Sequence, residues 1–420
     1  MQTEKERAIL VGVYLPKQSH EKTDYSLEEL ARLADTANVD VALTFTQQRP
    51  TIDTSWYIGK GKIEELAQLI EQMEIDLVIF NVELTPSQIR NIEQRLDCRV
   101  VDRTQLILDI FAMRANSKEG KIQVELAQLS YMLPRLSGRG EALSRLGAGI
   151  GTRGPGETKL ESDRRHIRNR ISELRRQLKE VVRHRELYRS RRKKNEVPQV
   201  AIVGYTNAGK STLLNQLTHS NVIAEDRLFA TLDPTSRKVQ LQNGKEIIIT
   251  DTVGFIQDLP HDLVASFRST LEEVKEADLI LHVVDVSHEY HEEQIEVVEQ
   301  LLIEIEAHTI PRITVNNKSD QIESYMNHFD SMHYQIHVSA FKEEDLQQLL
   351  LAIEQHLTKD FSIHSYKIPA ERGDLISYLH RKGKPIEEFQ WNEDDQVWNV
   401  LVELNTIDIK SDLTQFETQS

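Results

Sequence analysis

Gly204-Tyr205-Thr206-Asn207-Ala208-Gly209-Lys210-Ser211 sets a glycine at each end of a short loop and a lysine and a hydroxyl at its exit. The spacing is G-x-x-x-x-G-K-[ST]; the apolar run Val200–Val203 precedes it and the helix-forming stretch Thr212–Leu217 follows. In that context the loop N–H groups point inward at phosphate oxygens, and the helix N-terminus adds a favourable dipole. The Lys210 ammonium would neutralise charge on the β- and γ-phosphates, and the Ser211 hydroxyl is a hard oxygen ligand for Mg²⁺. Asp251-Thr252-Val253-Gly254 ends a second apolar run, Ile247–Thr250. Its carboxylate could hold the metal through water, and its Gly254 amide could donate to a γ-phosphate. Asn317-Lys318-Ser319-Asp320 follows Arg312–Val315. The Asp320 carboxylate can accept from the N1–H and N2 amino group of guanine; adenine offers neither donor, and a carboxylate left unpaired against it rejects it. Ser339-Ala340-Phe341 would turn its backbone to the guanine O6. Between the first two motifs lies Phe229-Ala230-Thr231-Leu232-Asp233-Pro234-Thr235. A threonine there would complete the Mg²⁺ shell when a γ-phosphate is bound, and the segment would loosen after hydrolysis. Thr231 and Thr235 compete for that role, and Thr231 is favoured.

These elements, in this order, make the chain resemble the P-loop GTPases. Two positions bear on mechanism. Phe255 follows Gly254 where many such enzymes carry a glutamine that orients the attacking water, so slow intrinsic hydrolysis is expected. Asn207 is the residue type that potassium-activated relatives use to hold K⁺ beside the phosphates. It reads equally well as a residue that merely makes a turn hydrogen bond.

The elements that must carry these residues form four blocks. Residues 1–115 alternate apolar runs (Ala8–Leu15, Val41–Phe45, Asp76–Phe80, Arg99–Val101) with helical patterns (Leu27–Ala37, Lys62–Met73, Pro86–Leu96), which predicts an α/β layer with a largely parallel sheet. Residues 116–197 turn helical. Ile122, Leu126, Leu129, Leu133 and Leu136 make one stripe; Leu160, Ile167, Ile171, Leu174, Leu178 and Val181 make another, predicting a helical hairpin zipped along its seam. Its loop is rich in glycine and carries Arg139, Arg145 and Arg153. Residues 198–360 form a second α/β block, a mostly parallel sheet flanked by helices, with strands expected at Gln199–Val203, Lys238–Leu241, Glu246–Thr250, Leu279–Val284, Arg312–Val315 and Gln335–Val338. Residues 361–420 predict a small α+β domain, with a helix at Ala370–Lys382 and strands at Glu387–Trp391 and Val397–Leu404.

The 420 residues carry 39% hydrophobic and 28% charged side chains, which excludes wholesale disorder. The apolar stretch Leu279–Val286 is broken by His282 and Asp285, far short of the roughly 20 residues that a bilayer span needs. The mixed-charge start predicts no secretory signal, and the single cysteine, Cys98, excludes an intrachain disulfide. A cytoplasmic protein is expected. The net charge of −16 is an average over unlike parts: Gly156 to Asn195 holds fifteen Lys/Arg against six acids, or +9, and leaves −25 for the rest. So lopsided a segment predicts phosphate-backbone binding, with Arg164, Arg165 and Arg168 on the helix and Arg139, Arg145 and Arg153 in the loop as candidate RNA contacts. A solvated helix exterior is the bland alternative.

The strings Trp56-Tyr-Ile-Gly-Lys-Gly-Lys-Ile-Glu-Glu-Leu, Gln123-Val-Glu-Leu-Ala-Gln, Tyr131-Met-Leu-Pro-Arg-Leu, Gly149-Ile-Gly-Thr-Arg-Gly-Pro-Gly-Glu-Thr and Phe229-Ala-Thr-Leu-Asp-Pro-Thr resemble the HflX family of ribosome-associated GTPases. The likeness runs from about residue 8 to 360 and is loose beyond. It implies a GTP-hydrolysing factor, with Mg²⁺ and GTP or GDP as ligands, that binds the large ribosomal subunit and its RNA and splits stalled or idle ribosomes. The loop of the hairpin would approach the peptidyl-transferase region. A monomer is expected. The rival expectation is a nucleotide-switched RNA-binding or assembly module in which hydrolysis only times release. Gly59-Lys-Gly-Lys62 reads as a tight turn sooner than as a phosphate contact, and the first block shows no catalytic constellation.

Overall fold

The computed structural model describes residues 5–16, 19–136, 159–194, 197–218, 228–258, 271–322, 334–358, 361–387, 389–393, 395–405, 409 and 411–418. They divide into two compact units, residues 1–240 with 245–347, and residues 241–244 with 348–420.

The first unit begins with four parallel strands in the order β2 (Asp40–Gln48), β1 (Arg7–Tyr14), β3 (Leu77–Phe80) and β4 (Arg99–Asp102). Strand β1 is a nearly continuous apolar run because it is covered on both faces. Alternate residues part to opposite sides. Leu10 and Ile79 join Leu30 and Leu33 of α1 (His20–Thr36) and Ile107 and Phe111 of α4 (Arg103–Arg114). Ile9, Val11, Val78 and Phe80 meet Ile63 and Leu66 of α2 (Lys60–Met73) and Ile92 of α3 (Pro86–Leu96). Local signals fix the helix starts. Ser19 caps α1 through the Lys22 amide, and Thr85 forms a capping box with Gln88 around Pro86. Gly59 is the N-cap of α2, and Lys62 pairs with Glu65 at 2.7 Å.

Helices α5 (Lys118–Arg135) and α6 (Lys159–Lys194) pair along the expected seam. Ile122, Leu126, Ile171 and Leu174 are buried there, and Leu129, Leu133, Ile167 and Leu178 pack at the edges. Glu125 and Arg170 join the two helices outside the seam at 2.7 Å. The connecting loop, with Arg139, Arg145 and Arg153, lies outside the described residues.

The second sheet has six strands in the order β10 (Gln335–His337), β9 (Arg312–Asn317), β8 (Leu279–Asp285), β5 (Gln199–Gly204), β7 (Glu246–Asp251) and β6 (Thr235–Gln240). All pairings are parallel except β6 with β7. Strand β6 begins at Thr235, three residues before the expected Lys238. It is an edge strand whose Thr-Ser-Arg-Lys start is mostly exposed, so apolar alternation could not mark it.

In the second unit β11 (Phe361–Pro369) pairs antiparallel with β12 (Val397–Asn405) along its whole length. Tyr366 and Ile368 of β11 and Val400, Val402 and Leu404 of β12 are buried with Leu375 and Leu379 of the helix Gly373–Lys382. No strand is expected from apolar alternation at Phe361–Pro369, because the polar pair His364-Ser365 breaks the phase between Phe361 and Ile363 on one side and Tyr366 and Ile368 on the other.

Candidate functional site

Strand β5 is buried throughout and delivers Gly204 at its end. Gly204 has φ +154°, and a Cβ there would lie 2.2 Å from the Val283 carbonyl oxygen, so the position admits only glycine. Asn207 has φ +64°, a left-handed conformation that asparagine tolerates better than most residues. Gly209, at φ +91°, would push a Cβ to 2.2 Å from Asn317 Nδ2. The turn opens directly into the helix Lys210–Leu217, here α7.

Lys210 folds back along this loop. Its Nζ donates to the Tyr205 carbonyl at 2.7 Å and to that of Gly204 at 3.1 Å. Burial lowers its pKa to about 8, an effect that the nearby Asp251 carboxylate opposes. Burial likewise raises Asp251, against the pull of Lys210, Ser211 and Thr231. Ser211 Oγ lies 2.7 Å from Thr231 Oγ1 and donates to Asp251 Oδ2 at 2.6 Å. Asp251 Oδ1 is buried with no hydrogen-bond partner among the described residues. Two hydroxyls and a carboxylate with a spare oxygen are a donor set suited to a hard divalent cation such as Mg²⁺. Thr235, the rival threonine, also lines the cavity from the start of β6, with its hydroxyl 3.5 Å from the Asp233 carbonyl.

Gly254 closes over the lysine, and a Cβ there would meet Lys210 Nζ at 3.0 Å and Thr206 Cγ2 at 2.9 Å. The next residue, Phe255, makes a strand-like bridge: its amide donates to the Gly204 carbonyl at 3.1 Å, and its own carbonyl accepts from Thr206 at 2.7 Å. Its ring is buried among Ala201, Val203 and Leu271, so no polar side chain stands at that position. Thr252 and Val253 are buried, and Thr252 donates to the Ile202 carbonyl at 2.7 Å. The result is a cavity of about 380 Å³ whose walls include Lys210, Ser211, Thr231, Asp251 and Gly254, together with Arg114 and Asn116.

The loop Asn317–Asp320 joins the site from beyond Gly209. Asn317 Nδ2 donates to the Ala208 carbonyl at 2.9 Å, and Lys318 pairs with Asp285 at 2.6 Å. Ser319 is buried, whereas Asp320 is exposed at the start of a short 3₁₀ turn. The Ser339 amide donates to Asp345 at 2.8 Å, Ala340 is buried and Phe341 is 78% exposed.

Sequence reasoning missed how the first block reaches this site. Phe229 is buried, stacked edge-to-face on Phe111, and Leu232 shares its core cluster with Leu106, Ile107 and Val124. The Asp233 carboxylate points to the start of α5. It accepts from the amides of Asn116 at 2.9 Å and Ser117 at 2.7 Å, and from the Ser117 hydroxyl. The Tyr205 hydroxyl donates to Glu29 at 2.6 Å and accepts from the Gln257 amide at 2.9 Å. Glu29 is ion-paired to the buried Arg103. The available signal was a glutamate inside the apolar stripe of α1. On α6, Arg164 is half-buried and Arg165 and Arg168 are exposed. Among the described residues, no helix is long and apolar enough to cross a membrane.

Three family descriptions match along the chain: a GTP-binding GTPase N-terminal region over residues 24–112, a GTP-binding GTPase middle region over 114–192, and a 50S ribosome-binding GTPase over 199–318. The GTPase HflX of Caldanaerobacter subterraneus subsp. tengcongensis is 53% identical over 413 residues, covering 98% of this chain and 94% of its own. The GTPase HflX of Alkalihalophilus pseudofirmus is 55% identical over 374 residues, covering 89% and 88%. That of Escherichia coli K12 is 41% identical over 407 residues, covering 96% and 94%.

Proposed function

The chain belongs to the HflX family of GTPases and hydrolyses GTP, and from that premise we propose that it binds the large ribosomal subunit and uses the GTP cycle to drive stalled or idle ribosomes apart. The observation that carries the reading is the convergence of Ser211, Thr231 and Asp251, with a spare carboxylate oxygen, beside Lys210 in one cavity, a donor set that suits a metal-neutralised polyphosphate. Residues Gly204 to Ser211 cradle the phosphates, and Gly254 stands ready to donate to a γ-phosphate. Asp320 selects guanine, with Asn317 bracing the phosphate loop and Ser339, Ala340 and Phe341 facing the base. Mg²⁺, which GTPases of this kind use, would be held by Ser211 and Thr231 directly and by Asp251 through water, neutralising charge at the phosphates. With Phe255 locked in the core, no side chain at that position orients water, so intrinsic turnover is slow and the ribosome supplies the acceleration. Asn207 would be the residue to help hold K⁺ beside the phosphates; equal single-turnover rates in KCl and NaCl would discard that role and leave Asn207 a turn residue.

The basic α6 and the loop arginines grip ribosomal RNA, and the factor works as a monomer in the cytoplasm. GTP loading orders the Phe229–Thr235 segment and the Gly254 loop and favours the ribosome-bound state, and hydrolysis releases the factor. Sedimentation of purified 70S ribosomes with the protein and a non-hydrolysable GTP analogue tests this. Separated subunits are expected. Binding without separation would make the protein a recruitment module in which hydrolysis only times release.

A further inference from the structure

Asp233 lies two residues after Thr231, yet its carboxylate faces the first turn of α5. Its three acceptor contacts, to the amides of Asn116 and Ser117 and the Ser117 hydroxyl, sit where a helix N-terminus favours negative charge. Ser117 is itself the N-cap of α5, its Oγ accepting from the Gly120 amide at 2.9 Å. One hydroxyl therefore links the helix cap to the segment that presents Thr231 to Ser211. Gly120 completes the fit, because a Cβ there would lie 2.5 Å from Asp233 Oδ1. The neighbouring residues are fixed to the same surface, Phe229 on Phe111 and Leu232 in the shared core. The segment from Phe229 to Asp233 thus takes its shape from α4, α5 and the turn between them.

We propose that Asp233 is a positioning residue: by clasping the N-terminus of α5 it holds Thr231 in place for the metal and γ-phosphate, and so couples triphosphate binding to the root of the basic hairpin. The inference rests on the nucleotide reading of the cavity. Helix α5 is one arm of the hairpin, so coupling is reciprocal: a ligand that fixes Thr231 stabilises the clasp, and a pull on α5 that opens the clasp weakens the hold on the triphosphate. A diphosphate offers no γ-phosphate and does not draw on the clasp.

Two variants separate this from general damage. Asp233→Asn keeps the size of the side chain and removes its charge. Gly120→Ala leaves every residue of the nucleotide loops unchanged and improves helix propensity, but drives the Asp233 carboxylate off the cap. Calorimetry with Mg²⁺ compares a non-hydrolysable GTP analogue with GDP. Both variants should raise the Kd of the analogue about tenfold and leave that of GDP within about twofold. Hydrogen exchange at the Asn116 and Ser117 amides should be slower with the analogue than with GDP in the wild type, and equal with both in Gly120→Ala. An unchanged analogue-to-GDP ratio in both variants, or equal weakening of both nucleotides, overturns the clasp. Failure of the wild type to bind either nucleotide overturns the reading beneath it.

Discussion

Lys210 is the side chain through which pH reaches the site. Burial lowers its pKa to about 8, so above that value the unliganded loop holds a neutral amine. A bound triphosphate stabilises the ammonium and raises the pKa, so binding takes up a proton wherever the pH lies between the two values. Affinity is therefore flat below pH 7 and falls as pH rises through 8. Calorimetry in buffers of differing ionisation enthalpy should show almost no proton uptake at pH 6.5 and roughly three-quarters of a proton per nucleotide at pH 8.5. No uptake at the higher pH would mean that Lys210 stays charged in the empty loop. The strand–turn–helix of the phosphate-loop motif was legible because it is local: Gly204, Gly209, Lys210 and Ser211 lie within one turn and its helix. Asp233 and Glu29 were not, since their partners are fixed by tertiary packing, 116 or 117 and 176 residues away along the chain. A carboxylate that caps a distant helix leaves no periodic trace.

At the scale of elements, the hairpin was legible and the edges of the sheets were not. Its apolar residues recur at steps of three and four, and the structure buries Ile122, Leu126, Ile171 and Leu174. The sheet edges, such as the polar start of β6, depend on backbone pairing that no side-chain pattern announces. The seam is narrow for so charged a helix, so single apolar residues matter. Leu174 is fully buried, and Leu174→Ala should cost about 2–5 kcal/mol locally, from lost transfer energy and the cavity left behind. Hydrogen exchange should quicken along α5 and α6 while guanine-nucleotide affinity changes little. Unchanged exchange in the hairpin would show that other contacts hold the two arms together.

At the largest scale, packing ties the blocks of the first unit together. Charge is divided unevenly along the chain, +9 over residues 156–195 and −25 over the rest, which is the asymmetry that the proposed RNA contact would draw on. The first α/β block is no detachable module, because Tyr205, Leu228, Phe229, Leu232, Val253 and Ile256 complete the core begun by Leu106, Ile107 and Phe111. The polar centre of that contact is Glu29. It is paired with Arg103, both almost wholly buried, and it accepts from Tyr205 of the phosphate loop, while Arg103 also reaches the Asn81 side chain at 3.1 Å and the Gln257 carbonyl at 3.4 Å. A buried pair of this kind earns its place through geometry more than through net stability, since desolvation offsets much of the attraction. Removing one partner is another matter. Arg103→Ala strands a buried carboxylate beside the phosphate loop and should destabilise the first unit by about 3–5 kcal/mol in denaturant unfolding. The double replacement Arg103→Met with Glu29→Leu removes both charges and should recover at least half of that loss. If the double variant is instead as unstable as the sum of its single changes, the pair is not coupled and the two blocks are held together by their apolar contact alone.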